Sequence, residues 1–368
     1  MGTRSKPGAT ARVAVIGAGV VGCTVAWRIK QTLGHAVDLY ERRDDILLET
    51  SAGTSNRFHR GYQYARSPET AASLQRYQQR FVQLYGRCVV PSANYYGIAE
   101  DSAISPAEYL DFCARCDLPV RQDRPPGVFT DSVVLSILSE ERSLDPETLR
   151  ELCRQKLLDW GVTIVHAEAS RAVLERYDHV ISAVYSNPNL LRHPSARREH
   201  HFSLSEMVLV ELPEQYAGRS AMIVYGPFMT VDVLGSTGHH VLYHGDHGVH
   251  HVNVGQFAEV PAAYQPFLYR YTPAHELDGL SRAPLALRSA SRYLAGMDEA
   301  RHIASSFVVR VQAPTHVDDA VRRTTIEEVE RGWFSITASK LSASASIADT
   351  MVDLLRRRGA ARSIGAAA

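Results

Sequence analysis

The chain has no excess of charge of either sign: 40 lysines and arginines face 40 aspartates and glutamates across 368 residues. Without a global basic field, bulk electrostatics gives no hold on nucleic acid or an anionic membrane surface. Cysteine is scarce. Five scattered residues, an odd number in a large chain, argue against a disulfide framework. No uninterrupted run of about 20 apolar residues occurs, so no membrane-spanning helix is expected. The run from Val13 to Trp27 follows Arg4, Lys6 and Arg12 as a signal peptide would. It contains glycines at motif spacing and lacks a small-residue cleavage site, so the expectation is a cytoplasmic protein. Internal repeats, low-complexity linkers and a Gly-x-Ser-x-Gly elbow are absent as well. What the chain has in plenty is histidine, 16 residues, several of them clustered.

The strongest local pattern lies at residues 12–41. Arg12-Val-Ala-Val-Ile16 reads as a strand, Gly17-Ala-Gly-Val-Val-Gly22 follows at once, and Cys23 to Leu33 reads as a helix. Gly34 stops that helix, and Ala36-Val-Asp-Leu-Tyr40 is a second strand closing on Glu41. This is the βαβ context of a dinucleotide fingerprint. Gly17 permits the tight turn, Gly19 lets backbone approach a pyrophosphate, and Gly22 lets helix and strand pack closely. The helix N-terminus offers N–H groups to the anion, and Glu41 stands where an acceptor for ribose hydroxyls belongs. The pattern suits NAD or FAD alike.

Further along, helices are expected at Glu69–Tyr85 and at Pro146–Trp160, the latter capped by Asp145. Strands are expected at Gly161–Val165, His179–Ala183, Met207–Leu212, Met222–Val224, Met229–Val233 and His240–Tyr243. Gly226-Pro227 and Gly235-Ser-Thr-Gly238 mark turns. A helix is expected from about Leu341 to Arg357, with a frayed tail from Gly359 to Ala368.

The loop after Glu41 begins with Arg42 and runs through Ser51, Thr54 and Arg57-Phe-His-Arg-Gly-Tyr-Gln-Tyr-Ala-Arg-Ser67. In it the sequence resembles the FAD-dependent oxidoreductases of the D-amino-acid oxidase superfamily. The His59-x-Gly61-Tyr62 stretch is similar to the loop of L-2-hydroxyglutarate dehydrogenases. The resemblance continues in order through Leu144–Ile164, His179–Asn187, Tyr225–Asp232, Val241–His251, Phe307–Arg310 and Gly332–Lys340. It implies an α/β fold: a Rossmann-like FAD-binding domain built from discontinuous segments, plus an antiparallel-sheet substrate domain. The implied boundaries are 1–85, 143–195 and 300–368 for the first, and 86–142 and 196–299 for the second. Departures from the family pattern are Val184 and Tyr185 where glycine is common, Thr54 and Ser55 in place of amide-bearing residues, and a short stretch from Val165 to Asp178.

The resemblance further implies FAD contacts at Gly17, Gly19, Gly22, Glu41, Arg42, Ser51, Thr54, Arg57, Gly61, Ala183 and Lys340. It implies oxidation of a CH–NH bond of an amine or amino acid by hydride transfer to flavin N5. Oxidation of a 2-hydroxy acid or other secondary alcohol is the close alternative, and a non-catalytic flavin- or NAD-binding protein is a third. His59 is the candidate base, since imidazole titrates near neutral pH. Arg310 is the candidate for a substrate carboxylate, which a guanidinium pairs with bidentately. Tyr225, with Tyr62 and Tyr64, is a candidate wall. The partner expected is a small molecule carrying a carboxylate, and the assembly a monomer or homo-oligomer. Covalent FAD attachment through a C-terminal cysteine finds no residue, because Cys153 is the last. The histidines at 239, 240, 244, 247, 250 and 251 could line a substrate pocket, bind metal or cover a strand surface. No metal-ligating helix motif accompanies them. Cys113-Ala-Arg-Cys116 lacks the second pair a zinc site requires and reads as two helix cysteines.

Overall fold

A computed structural model describes residues 10–226, 228–312 and 323–365. Pro227 and Ala366–Ala368 lie outside the described residues. The chain divides into two compact units. The first holds the described residues of Met1–Leu47, Arg150–Arg197 and Arg323–Ala368; the second holds those of Leu48–Leu149 and Arg198–Arg322. The stretches 48–85, 143–149 and 300–312 thus group with the second unit.

The first unit is built on a six-stranded sheet. Its order is Thr325–Glu330, Trp333–Thr337, His179–Ser182, Arg12–Ile16, Ala36–Glu41, Thr163–His166. All neighbours pair in parallel except the first two. The apolar run Val13–Ile16 is buried on both faces, as a central parallel strand requires. The first helix spans Val20–Leu33 and starts three residues before the sequence expectation, because Gly19 is already extended and caps it. Gly34 ends it in the left-handed region at φ +68°. The last helix, Ser344–Gly365, follows a short 3-10 turn at Leu341–Ala343 and overruns the expected end at Arg357.

The second unit is dominated by a ten-stranded sheet. It runs Thr272–Pro273, Arg301–Gln312, His200–Glu211, His240–His244, Met229–Val233, Arg219–Ile223, Ala93–Ala99, Val133–Ser139, Val120–Gln122, with Val249–Gly255 also pairing His200–Glu211. It is antiparallel except where Ala93–Ala99 meets Arg219–Ile223 in parallel. His200–Glu211 begins seven residues before the expected Met207, because it pairs along its length with Arg301–Gln312. A three-stranded sheet places Arg57–Phe58 against Arg142–Leu144, which also pairs Val89–Val90. That small sheet brings the loop beginning at His59 to the end of the Val133–Ser139 strand.

The Pro68–Tyr85 helix is capped by Ser67, whose Oγ accepts the Thr70 N–H at 3.4 Å. The Pro146–Asp159 helix is capped by Asp145, which accepts the Thr148 N–H at 2.9 Å. Cys113 lies in the Pro106–Arg115 helix and Cys116 caps its C-terminus; both are free thiols. No helix among the described residues is long and apolar enough to cross a membrane.

Candidate functional site

The first unit presents a cradle at the start of its first helix. Gly17 leaves the Arg12–Ile16 strand with φ +91°, and its N–H donates to the Tyr40 carbonyl at 2.8 Å. A Cβ at Gly22 would stand 1.8 Å from the Gly17 carbonyl oxygen. Only glycine therefore lets the helix lie this close to the turn. Gly19 supplies no side-chain cap, and the first turn of the helix holds no acidic residue of its own. Ala183 packs beside this turn: its N–H donates to the Ile16 carbonyl at 2.9 Å, and its own carbonyl lines Gly17. Val184, one of the departures from the family pattern, also abuts Gly17.

Glu41 is nearly sealed and acts inside the same cradle. Its Oε2 accepts the Ala18 N–H at 2.8 Å and its Oε1 accepts the Arg43 N–H at 2.9 Å. The carboxylate therefore braces the glycine loop as well as standing where a ribose acceptor is expected. A positive-φ glycine turn, a helix start that excludes any Cβ and a braced acid together fit the diphosphate and ribose of a dinucleotide. Arg42 is exposed at the end of the Ala36–Glu41 strand, and Lys340 is half-buried before the 3-10 turn.

The second unit holds a sealed ionic cluster. Arg57 donates from Nε to Asp232 Oδ1 at 2.6 Å, and its Nη1 lies 3.8 Å from Glu141 Oε2. All three side chains are fully buried. The guanidinium also lies over the Tyr96 ring, 5.1 Å from its centre. Arg57, assigned to the cofactor from the sequence, thus directs its guanidinium to internal carboxylates; an arginine this deeply buried requires such partners. Thr230 Oγ1 donates to the other oxygen of Asp232 at 2.7 Å.

Glu141 is the hub of the loop that carries His59. Its Oε1 accepts the N–H of Arg60 at 2.6 Å and of Gly61 at 3.3 Å. Its Oε2 accepts the Tyr96 hydroxyl at 2.7 Å and faces His59 Nδ1 at 3.7 Å. Burial pushes the Glu141 carboxyl up, but His59, Arg57 and the Tyr96 hydroxyl outweigh it and pull the pKa down to about 2. Gly61 has φ +131°, and a Cβ there would meet Ala71 at 2.8 Å, so the turn after His59 also demands glycine.

Other predicted residues fall in place around this loop or away from it. Tyr225 takes the strained φ of +59° for a non-glycine residue. Its hydroxyl donates to the Gln63 carbonyl and accepts the Arg66 N–H, both at 3.0 Å, so it braces the 59–67 loop. Thr54 is tied to Asn56, accepting its N–H at 3.2 Å, while Ser51 lies half-buried a turn earlier. Arg310 is half-buried on the Arg301–Gln312 strand. Its guanidinium lies 4.1 Å from the Tyr243 ring centre and points Nη2 at Met207 Sδ. Among the described residues no carboxylate pairs with it.

Three rings of the histidine cluster, His240, His244 and His250, each bond to partners of their own. His240 Nε2 lies 3.1 Å from the Tyr216 carbonyl, and burial lowers the pKa of its ring. His244 Nδ1 accepts the amides of Asp246 and His247, so its Nε2 carries the proton toward Ser289. His250 bridges Tyr264 and buried Glu206. Among the described residues no three His, Cys, Asp or Glu side chains converge as a metal site. The sequence reading missed Glu141, Asp232 and Tyr96, because Asp232 and Tyr96 reach the loop from distant strands and Glu141 from a turn between two strands, with no local motif.

Residues 12–187 match the family model of FAD-dependent oxidoreductases called DAO. An FAD-dependent monooxygenase of Aspergillus flavus, kojA, is 30% identical over 166 residues, which are 43% of this chain and 38% of that protein. The match therefore spans well under half the length of that relative. The solved structure of glycine oxidase from Geobacillus kaustophilus aligns with TM-score 0.66 at 14% identity, covering 95% of each chain. L-α-glycerophosphate oxidase from Mycoplasma pneumoniae, solved with FAD bound, aligns with TM-score 0.68 at 14% identity over 94% of this chain and 95% of that one. The glycine cradle and the braced Glu41 thus lie within the stretch, residues 12–187, that matches the DAO family of FAD-dependent oxidoreductases.

Proposed function

We propose that this protein oxidises a small, carboxylate-bearing molecule at the carbon next to its acid group, and that a CH–OH carbon is the preferred donor. The observation that carries this reading is the pairing of His59 with buried Glu141, 3.7 Å apart. An imidazole whose Nδ1 faces a buried carboxylate is suited to take up a hydroxyl proton, which is the demand an alcohol makes on its enzyme. Arg310 supports the acid group: a half-buried guanidinium stacked on Tyr243 is pre-oriented for a planar anion. When bound, FAD supplies the hydride acceptor at flavin N5, and the protein's part is orientation, electrostatics and proton removal. Gly17, Gly19, Gly22, Glu41 and Ala183 would hold its dinucleotide portion.

A second reading keeps the CH–NH bond of an amine or amino acid as the donor. It is favoured by the charge of the buried cluster, where two carboxylates, Glu141 and Asp232, face the single guanidinium of Arg57. Such a field suits a substrate that arrives as an ammonium ion. Anaerobic mixing of the FAD-loaded protein with panels of 2-hydroxy acids and amino acids separates the two. Bleaching of the flavin by hydroxy acids alone supports the first, bleaching by amino acids alone supports the second. Bleaching by neither points to a flavoprotein without turnover of either class.

A further inference from the structure

We propose that Glu141 is the positioning residue of His59: it holds the imidazole with a protonated Nδ1 toward its carboxylate, and it sets the pH at which that ring loses its charge. The inference rests on the reading of His59 as proton acceptor, and it concerns how the ring is held. Three observations converge on one carboxylate. Its Oε1 takes the backbone N–H groups of the two residues following His59, so the loop cannot turn without breaking them. Its Oε2 faces His59 Nδ1 at 3.7 Å. The Tyr96 hydroxyl, donating at 2.7 Å, fixes that same oxygen from a separate strand.

Several charges surround the pair. On the loop's own side stand Arg57, 3.8 Å from Glu141 and held by Asp232, and Arg60, whose guanidinium pairs with Glu140. From the Ala93–Ala99 strand comes Tyr96, and from Met229–Val233 comes Asp232. Arg57 and Asp232 offset one another, and Glu141 faces His59 as a carboxylate able to balance a proton on it. The His59 side chain retains 12% exposure while Glu141 has none, so the carboxylate side of the pair is the sealed one. A buried carboxylate at this distance favours the charged imidazole and, after deprotonation, retention of the proton on the nitrogen that faces it.

The test is a nitrogen-15 NMR titration of histidine-labelled holoprotein, with His59 assigned by difference from His59→Gln. In the wild type the neutral ring is expected as the Nδ1–H tautomer. Glu141→Gln is expected to lower the titration midpoint of His59 by about one to two pH units, and Glu141→Asp to restore most of it. The acid limb of the pH profile of flavin reduction should move by the same amount. An Nε2–H tautomer in the wild type overturns the proposal without any variant, as does an unchanged midpoint in Glu141→Gln. If the midpoint moves while His59→Gln reduces flavin at the wild-type rate, Glu141 still positions the ring and the role given to His59 in the chemistry falls.

Discussion

Arg57 and Asp232 are 175 residues apart in sequence and meet at 2.6 Å with neither side chain exposed. The contact joins the start of the His59 loop to the centre of the large sheet. Removing Asp232 takes from a sealed guanidinium its hydrogen-bonded carboxylate and leaves only Glu141 at 3.8 Å, so Asp232→Leu is expected to destabilise the protein by about 3 kcal/mol. The double variant Arg57→Met, Asp232→Leu should lose less than either single change, as a double-mutant cycle of denaturant unfolding would show.

Gly22 is the most restrictive position of the cradle. Gly22→Ala would place a methyl group 1.8 Å from the Gly17 carbonyl and must displace the helix start. Retention of FAD through gel filtration should fall at least tenfold. Gly34→Ala is the control: its site is open, but its φ of +68° makes the change cost about 1 kcal/mol with FAD retention unchanged.

Acid stability should carry the mark of Glu141. Its folded pKa is depressed to about 2, against an unfolded value of about 4.3. A depressed carboxylate contributes stability above its unfolded pKa and loses it as pH falls toward the folded one. Roughly 3 kcal/mol should therefore disappear between about pH 4.5 and pH 2. Glu141→Gln should flatten that part of the stability profile, measured by denaturant midpoint against pH.

The dinucleotide half of the fold was legible because its signals are local. Gly17, Gly19, Gly22, Gly34 and Glu41 each act on neighbours within one βαβ unit. Turn and helix periodicity carry that information in a single stretch of chain. The sealed cluster was not legible, since Glu141 reads as one of two acids in a polar turn and Asp232 as one polar residue in a strand. Their meaning exists only through cross-strand pairing. The histidines at 240, 244 and 250 teach the same lesson in reverse. Their crowding in sequence suggested a shared purpose, whereas strand alternation and separate acceptors give each its own structural bond.

Arg310 should govern affinity for the acid group. Arg310→Met is expected to raise KM for a carboxylate substrate about 10- to 100-fold with a smaller effect on kcat, the loss of a charge-assisted pair. Arg310→Lys should recover only part, because an ammonium cannot pair bidentately. Steady-state kinetics on an acid and on its neutral amide tests this, and the amide should show little difference between the variants.

The most direct measurement is the anaerobic rate of flavin reduction by a 2-hydroxy acid in the wild type and in His59→Ala. The account predicts reduction by the wild type and a rate about 10²- to 10⁴-fold lower in the variant, with FAD content unchanged. Equal rates in the two proteins would contradict it.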